Sequence, residues 1–209
     1  MPLPKLKIAP RSARNYLFFA LVLFCIPSLL TFYFPSHKGR LLVASGASED
    51  AVFAKTVLYM TMHNAYGASG FVMNRPLQGA ALHQAQRRFP RMSQFRYGGP
   101  IKEPYRHYWL VPLVDRPDGF QIVSPEQLQK ELPEQYREIT HNDDIAQKII
   151  VFQGYAGWAP MQLNREMYYG GWDVVAYDRG LVFDTSLDDI WSKALSRVLA
   201  EKKVSNSAI

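Results

Sequence analysis

The stretch TVLYMTMHNAYGASGFVMNRP, residues 56–76, decides the fold. Its first part, 56–62, is rich in β-branched and aromatic residues, a composition typical of a strand. Residues 63–67 then supply turn formers, and 70–74 is predicted to return as an antiparallel partner before Pro76 ends it. We therefore expect a β-hairpin near the start of the folded domain.

Strands and helices are interleaved along the rest of the chain. Further strands are predicted at 41–44, 105–111, 120–123 and 148–153, and near Val174 and Leu181. Helices are predicted at 80–89 and 160–169, after the capping pair Ser124-Pro125, and from Thr185 or Ser186 through Leu199. Because tight turns join several strands, the expected fold class is α+β: a compact single domain with a largely antiparallel or mixed sheet and flanking helices.

The composition fits one globular domain without a metal or cofactor. Of the 209 residues, 48% are hydrophobic, which is enough to fill a core and too much for a disordered chain. A single cysteine excludes a disulfide framework and a thiolate metal cage. The five histidines are scattered singly, and the sequence holds no nucleotide-binding or hydrolase motif, so that no catalytic residue, metal ligand or cofactor is predicted.

The N-terminal part of the chain predicts a membrane anchor. Residues 16–34 form an uncharged apolar run of 19 residues, which as a helix would span about 28 Å, close to the hydrocarbon core of a bilayer. A cleaved signal peptide, a lipoprotein and a buried core helix are the alternatives. The run is predicted to be a single-pass transmembrane helix of the inner (cytoplasmic) membrane, with the N-terminus in the cytoplasm by the positive-inside rule and the side of the domain left open.

This anchor sets the predicted domain organisation. A basic segment, 1–15, precedes the transmembrane helix from Tyr16 to Phe34, and a linker at 35–40 leads to the domain at 41–200 and a tail at 201–209. The formal net charge is +6, and the first 40 residues hold six Lys and Arg and no acid, so that the remainder is neutral.

Charge is uneven within the neutral part. Residues 55–106 carry eight bases, and residues 115–144 carry eight acids. The basic stretch could face lipid headgroups or a nucleic-acid backbone. The favoured interpretation is that the two stretches meet on the folded surface and neutralise each other.

Three clusters of polar residues and glycines interrupt the apolar strands and mark the candidate site. They lie at 63–76, at Gly98-Gly99-Pro100 and at 154–162. Glycines at strand ends let the backbone approach a ligand, and free N–H groups at a helix start can hold an anion. Each cluster taken singly is better explained by tight-turn geometry, but the three together are more specific than composition explains. The candidate ligand- or partner-binding residues are Asp50, His63, Asn64, Asn74, Arg75, Tyr155, Trp158 and Gln162.

The same motifs resemble the YqgE/AlgH family of bacterial proteins. The match runs without a gap from Leu41 to Pro76 and continues through the motifs at 98–100 and 154–163 to Trp191, covering roughly residues 40–200. The resemblance implies a compact α+β domain, a label as transcriptional regulator and no established biochemical activity. The chain departs from the family pattern at several positions, namely Gly46 in place of Pro, Met161 and Asn164 in place of Gly and Glu, and the apolar N-terminal segment.

Three functions are consistent with these observations. The favoured hypothesis is a membrane-anchored, non-enzymatic module that binds a protein or a small ligand. The second is an enzyme in which His63 acts as general base, Arg75 holds an anionic substrate and Asp50 orients the histidine. The third, binding of nucleic acid through 87–106, is disfavoured because a neutral domain lacks the charge that supplies most non-specific affinity for DNA.

Overall fold

The computed structural model describes residues 16, 35–46, 52–103, 106–113 and 116–207. Nine strands are described: β1 Leu41–Ala44, β2 Val57–Asn64, β3 Gly67–Val72, β4 Gln94–Tyr97, β5 His107–Leu113, β6 Arg116–Val123, β7 Ile150–Gln153, β8 Ala156–Trp158 and β9 Trp172–Val175. The helices in the same part of the chain are α1 Gly79–Arg88, α2 Pro125–Glu131, α3 Pro133–His141, α4 Asp143–Ala146, α5 Gln162–Tyr168, α6 Arg179–Phe183 and α7 Leu187–Ser207.

The strands form two sheets. The first sheet has the order β8-β3-β2-β1-β9 and is antiparallel throughout. The second has the order β4-β7-β5-β6 and is mixed, because β4 runs parallel to β7. The predicted α+β class is confirmed, and so is the predicted hairpin, in which β2 and β3 pair from Leu58↔Val72 to Asn64↔Gly67.

Alternation of side chains along the strands produces a layered core. The facing sides of the two sheets bury one cluster, with Phe71 from the first sheet and Phe152 from the second, and α7 covers its margin through Ile190. The opposite face of the second sheet packs Trp109 against α1, α2 and α3. The opposite face of the first sheet packs under α5 through Leu163.

The segment β8-α5-β9 borders the first sheet on both sides. Strand β8 pairs with β3 at one edge, and β9 pairs with β1 at the other. Both edge strands are short, three and four residues, and α5 lies between them in the sequence. One continuous stretch, 156–175, therefore supplies both outer strands.

Three predictions made from the sequence require correction. Leu181 lies in α6, not in a strand, because Asp178 caps that helix by accepting a hydrogen bond from the Leu181 N–H at 2.6 Å. The last helix ends at Ser207 rather than Leu199, and so runs through most of the predicted tail. The third correction concerns the membrane.

Among the residues that the structure describes, no helix combines the length and the apolar character needed to cross a bilayer. Helix α7 has 21 residues, but acidic and basic side chains recur along it from Asp188 to Lys203. This finding corrects the predictions of a preceding transmembrane helix and of a single-pass location in the inner membrane. The predicted span, 16–34, lies outside the described residues apart from Tyr16.

Candidate functional site

The predicted site residues separate to the two ends of the β2-β3 hairpin. His63 pairs with Ala68 beside the turn, whereas Asn74 and Arg75 follow β3 at the other end, near Val57. Six residues of strand between Val57 and His63 correspond to about 20 Å. His63 and Arg75 therefore do not share one pocket, and Asp50 lies outside the described residues.

At the turn end, the His63 ring uses both of its nitrogens inside the protein. Nδ1 accepts a hydrogen bond from the backbone N–H of His37 at 3.1 Å. The ring proton consequently sits on Nε2, which donates to Asn164 Oδ1 at 3.2 Å. His63 is only 6% exposed. A general base needs a lone pair that can reach substrate, and here the lone pair is occupied.

The segment before β1 packs on this histidine. The His37 ring stacks on the His63 ring with centroids 5.2 Å apart and an interplanar angle of 18°. Ser36 Oγ donates to the His63 carbonyl at 2.7 Å. Burial lowers the pKa of His37, and the nearby His63 and Arg40 lower it further.

Acidification is expected to loosen this contact. The pKa of His37 in the folded protein lies below its unfolded value of 6.5. Neutral His37 therefore stabilises the contact fully above pH 6.5, and this stability is lost as the pH falls below 6.5 and through the folded pKa. Lowering the pH from about 7.5 to about 5.5 should reduce the hydrogen-exchange protection factor of the His37 amide about threefold or more. The amides of β7 serve as the control, and an unchanged ratio between His37 and β7 would contradict the prediction.

Trp158 and Gln162 are held by one carboxylate on α5. Glu166 Oε2 accepts from Trp158 Nε1 at 2.9 Å and from Trp172 Nε1 at 3.0 Å, and Oε1 accepts from Gln162 Nε2 at 2.9 Å. The Gln162 carbonyl oxygen in turn accepts the Ala159 N–H at 3.1 Å. The polar atoms of Trp158 and Gln162 thus stabilise the turn into α5.

Of the two remaining predicted residues, Asn64 is exposed at the turn, whereas Tyr155 is half-buried just before β8 and away from the turn. Asn64 Oδ1 accepts the Tyr66 N–H at 2.9 Å and thereby fixes the hairpin turn. The half-buried Tyr155 ring meets Tyr108 edge-on, with centroids 6.2 Å apart. Met161 has a φ of 64°, a left-handed conformation that favours glycine, and glycine is common at this position in the family that the motifs resemble.

At the other end, Asn74 and Arg75 tie down the backbone that leads into β2. Asn74 Oδ1 accepts the Val57 N–H and its Nδ2 donates to the Lys55 carbonyl, both at 2.9 Å. Arg75 Nη2 donates to the Ala54 carbonyl at 2.9 Å. These bonds fix the direction of the Arg75 side chain, which also lines a cavity.

This cavity, called the Arg75 cavity below, has a volume of about 430 Å³. Its polar and small lining residues are Arg75, Gln78, Ala81, Tyr97, Lys102 and Gln153. It opens where the parallel strands β4 and β7 end side by side at the paired residues Tyr97 and Gln153. Ligands in sheets with parallel strands commonly bind at this carboxyl end.

The electrostatics of the Arg75 cavity favour an anion. Arg75 and Lys102 bring two positive charges, and the described lining residues include no carboxylate. Helix α1 directs its N-terminus here, and its N-cap residue Gln78 makes no side-chain capping bond within the described part of the chain. Burial raises the pKa of Tyr97, an effect that the Arg75 charge partly offsets, so the Tyr97 hydroxyl keeps its proton and can donate.

Sequence reasoning found Arg75 but missed Gln78, Tyr97, Lys102 and Gln153. A local signal for Tyr97 and Gln153 was present, because each directly precedes a glycine, Gly98 and Gly154, that marks the end of its strand. What the chain order alone could not show is that β4 and β7, more than 50 residues apart, end together.

The basic and acidic stretches meet on the surface, as the neutralisation interpretation predicts. Arg88 pairs with Glu126 at 3.3 Å, and Arg91 pairs with Asp143 at 3.1 Å. Arg96 is buried instead, donates to the Met73 carbonyl at 2.7 Å, and has its pKa lowered to about 10 by burial. Much of the charge of 87–106 is thus engaged within the fold.

The family model described as AlgH-like matches residues 41–203. A UPF0301 protein of Coxiella burnetii is 30% identical over 168 residues, covering 77% of this chain and 88% of that protein. A UPF0301 protein of Caulobacter vibrioides is 28% identical over 167 residues, covering 77% and 86%. The solved structure of the AlgH protein from Pseudomonas aeruginosa matches with a TM-score of 0.56 and 25% identity, covering 79% of this chain and 90% of that chain. The resemblance inferred from the motifs is confirmed, and the chain belongs to the AlgH-like family.

Proposed function

We propose that this AlgH-like chain is a binding module that holds the phosphoryl group of a small ligand in the Arg75 cavity. The observation that carries the proposal is the pairing of Arg75 and Lys102 in one cavity whose described lining supplies no carboxylate to neutralise them. Cations gathered without a counter-charge lower the free energy of a bound anion, and a phosphoryl group offers several strong acceptor oxygens to such donors.

The surroundings supply directional hydrogen bonds as well as charge. The first turn of α1 presents backbone N–H groups at the positive end of the helix. The protonated Tyr97 hydroxyl and the amide of Gln153 are further donors, and the volume of about 430 Å³ lies in the range of small-ligand pockets. The arrangement thus supports binding and orientation of an anion.

The geometry gives less support to the enzyme hypothesis. The general-base role for His63 required an imidazole near the anion, whereas His63 lies at the far end of the hairpin with its lone pair bonded to the His37 N–H. The regulatory role implied by the family label stays a prediction. If it is correct, the bound phosphoryl ligand would be the signal that the module reads.

Inorganic phosphate is the first probe of this proposal. Its titration into the isotopically labelled full chain should shift the amide resonances at the start of α1, saturably, while acetate at equal concentration should bind more weakly. Lys102→Gln should weaken phosphate binding about three- to tenfold, and Arg75→Gln about tenfold or more, because each removes a charge-assisted hydrogen bond.

The matched control is Lys130→Gln, which removes an equal charge from α2, away from the cavity. Arg75→Gln also loses the bond to Ala54, so its thermal unfolding is measured alongside. The proposal would be rejected by unchanged phosphate affinity in Lys102→Gln and Arg75→Gln, or by an equal loss in Lys130→Gln.

A further inference from the structure

A second cavity lies on the helical side of the second sheet, between the end of α1, strand β5 and the helices α2 and α3. It has a volume of about 380 Å³ and is called the Trp109 cavity here. Its interior is lined by Phe89, Met92, Trp109, Tyr136 and Ile139. None of these residues belongs to the Arg75 cavity.

Trp109 is the unusual member of this lining. It is 1% exposed, and its indole Nε1 is buried without a hydrogen-bond acceptor among the described residues. The other three tryptophans of the chain all donate: Trp158 and Trp172 to Glu166, and Trp191 to the Ala44 carbonyl. Nearly every buried donor in a folded protein has an acceptor, so the Trp109 N–H is a donor that an ordered water or a ligand oxygen would satisfy.

The walls around this indole are flat and apolar. The Tyr136 ring lies parallel to the Trp109 ring, with an interplanar angle of 5° and centroids 5.8 Å apart. The Phe89 ring meets Trp109 edge-on at 5.4 Å. Met92 and Ile139 complete an apolar interior. Such walls favour a planar hydrocarbon body.

The mouth of the cavity carries two ion pairs. Arg88, Arg91 and Glu126 line it, and Arg88 pairs with Glu126 while Arg91 pairs with Asp143. The side chains of both pairs are 40–65% exposed. Exposed ion pairs of this kind contribute little to stability, so an arginine can exchange its partner for the carboxylate of a ligand at small cost.

We propose that the Trp109 cavity is a binding site for a small aromatic carboxylate. The ring packs against Trp109, Phe89 and Met92, one carboxylate oxygen accepts the Trp109 indole N–H, and the negative charge faces Arg88 and Arg91. This site is separate from the Arg75 cavity and does not depend on it.

The test uses 1-naphthoate and its neutral counterpart 1-naphthamide as probes on the full chain. The indole N–H resonance of Trp109, assigned by its loss in Trp109→Phe, should move downfield and saturate with naphthoate, while the other three indole resonances stay in place. Naphthamide should bind at least about fivefold more weakly than naphthoate, because it lacks the negative charge that faces the arginines.

Two variants divide the contributions. Trp109→Phe keeps an aromatic wall without the donor and should weaken both probes about tenfold. Arg91→Gln should weaken naphthoate several-fold and leave naphthamide unchanged, whereas Arg137→Gln, which removes an exposed cation of α3, should change neither.

The proposal is overturned if the Trp109 resonance stays in place at millimolar naphthoate, if all four indole resonances move together, or if Arg137→Gln weakens naphthoate as much as Arg91→Gln does. Lys102→Gln should leave naphthoate binding unchanged, so the outcome here is independent of phosphate binding in the Arg75 cavity.

Discussion

Gly99→Ala is expected to destabilise the domain by more than about 4 kcal/mol. A Cβ atom at Gly99 would lie 2.2 Å from the carbonyl carbon of Tyr155 and 2.4 Å from the Ala156 nitrogen. Both are backbone atoms, held by the hydrogen bonds between Ile101 and Tyr155, so they cannot turn aside as a side chain could. The φ of 153° at Gly99 adds strain for any residue with a Cβ.

The measurement is the free energy of unfolding from urea titration, with Gly46→Ala as the matched control. At Gly46 the nearest described atom to an added Cβ is the flexible end of Leu195 at 4.0 Å. The control should remain within about 1 kcal/mol of the unmodified protein. A loss of less than 1 kcal/mol in Gly99→Ala would show that this crossing of backbones is less rigid than the geometry indicates.

Glu166→Ala is expected to cost roughly 2 to 5 kcal/mol. The carboxylate is the acceptor for the indole N–H groups of Trp158 and Trp172, and both tryptophans are buried. Removing the acceptor leaves two donors without partners in an apolar layer, where water reaches them poorly. The bond from Gln162 is lost as well.

Glu166→Gln retains one acceptor oxygen and should recover part of the loss. Glu138→Ala, at an exposed position of α3, is the control and should change the free energy of unfolding by less than about 0.5 kcal/mol. The indole resonances of Trp158 and Trp172 should also move in Glu166→Ala. If Glu166→Ala and Glu138→Ala had equal free energies of unfolding, the Glu166 carboxylate would not make the predicted contribution to stability.

The parts of the fold that the sequence predicts well are those with local signals. The hairpin is marked by its turn formers, and α2 begins where Ser124 caps it, with Ser124 Oγ accepting the Gln127 N–H at 3.1 Å. Strands β4 and β8 are missed because their sequences, QFRY and AGW, lack the apolar run that marks short strands such as β1, LLVA, and β7, IVFQ. Their existence depends on partners that lie far away in the chain.

The candidate site shows the same division. Local patterns identify His63 and Arg75 as unusual, but the bond from His63 to Asn164 joins residues 101 positions apart. The glycine clusters are also explained by tertiary contact, because a Cβ at Gly98 would lie 2.1 Å from the Gly154 carbonyl oxygen. These glycines let two chain segments cross, which accounts for their presence.

The placement of β8 and β9 has a consequence for synthesis of the chain. The three central strands of the first sheet are all made within the first 72 residues, yet both of its borders are bare until the ribosome has released residues 156–175. Unpaired strand edges can pair with strands of other chains. A nascent or truncated product that stops before Ala156 therefore exposes two aggregation-prone edges, one on β1 and one on β3. Once residues 156–175 have been synthesised, β8 and β9 cover both edges, so the new chain avoids edge-to-edge association only after this segment has been made.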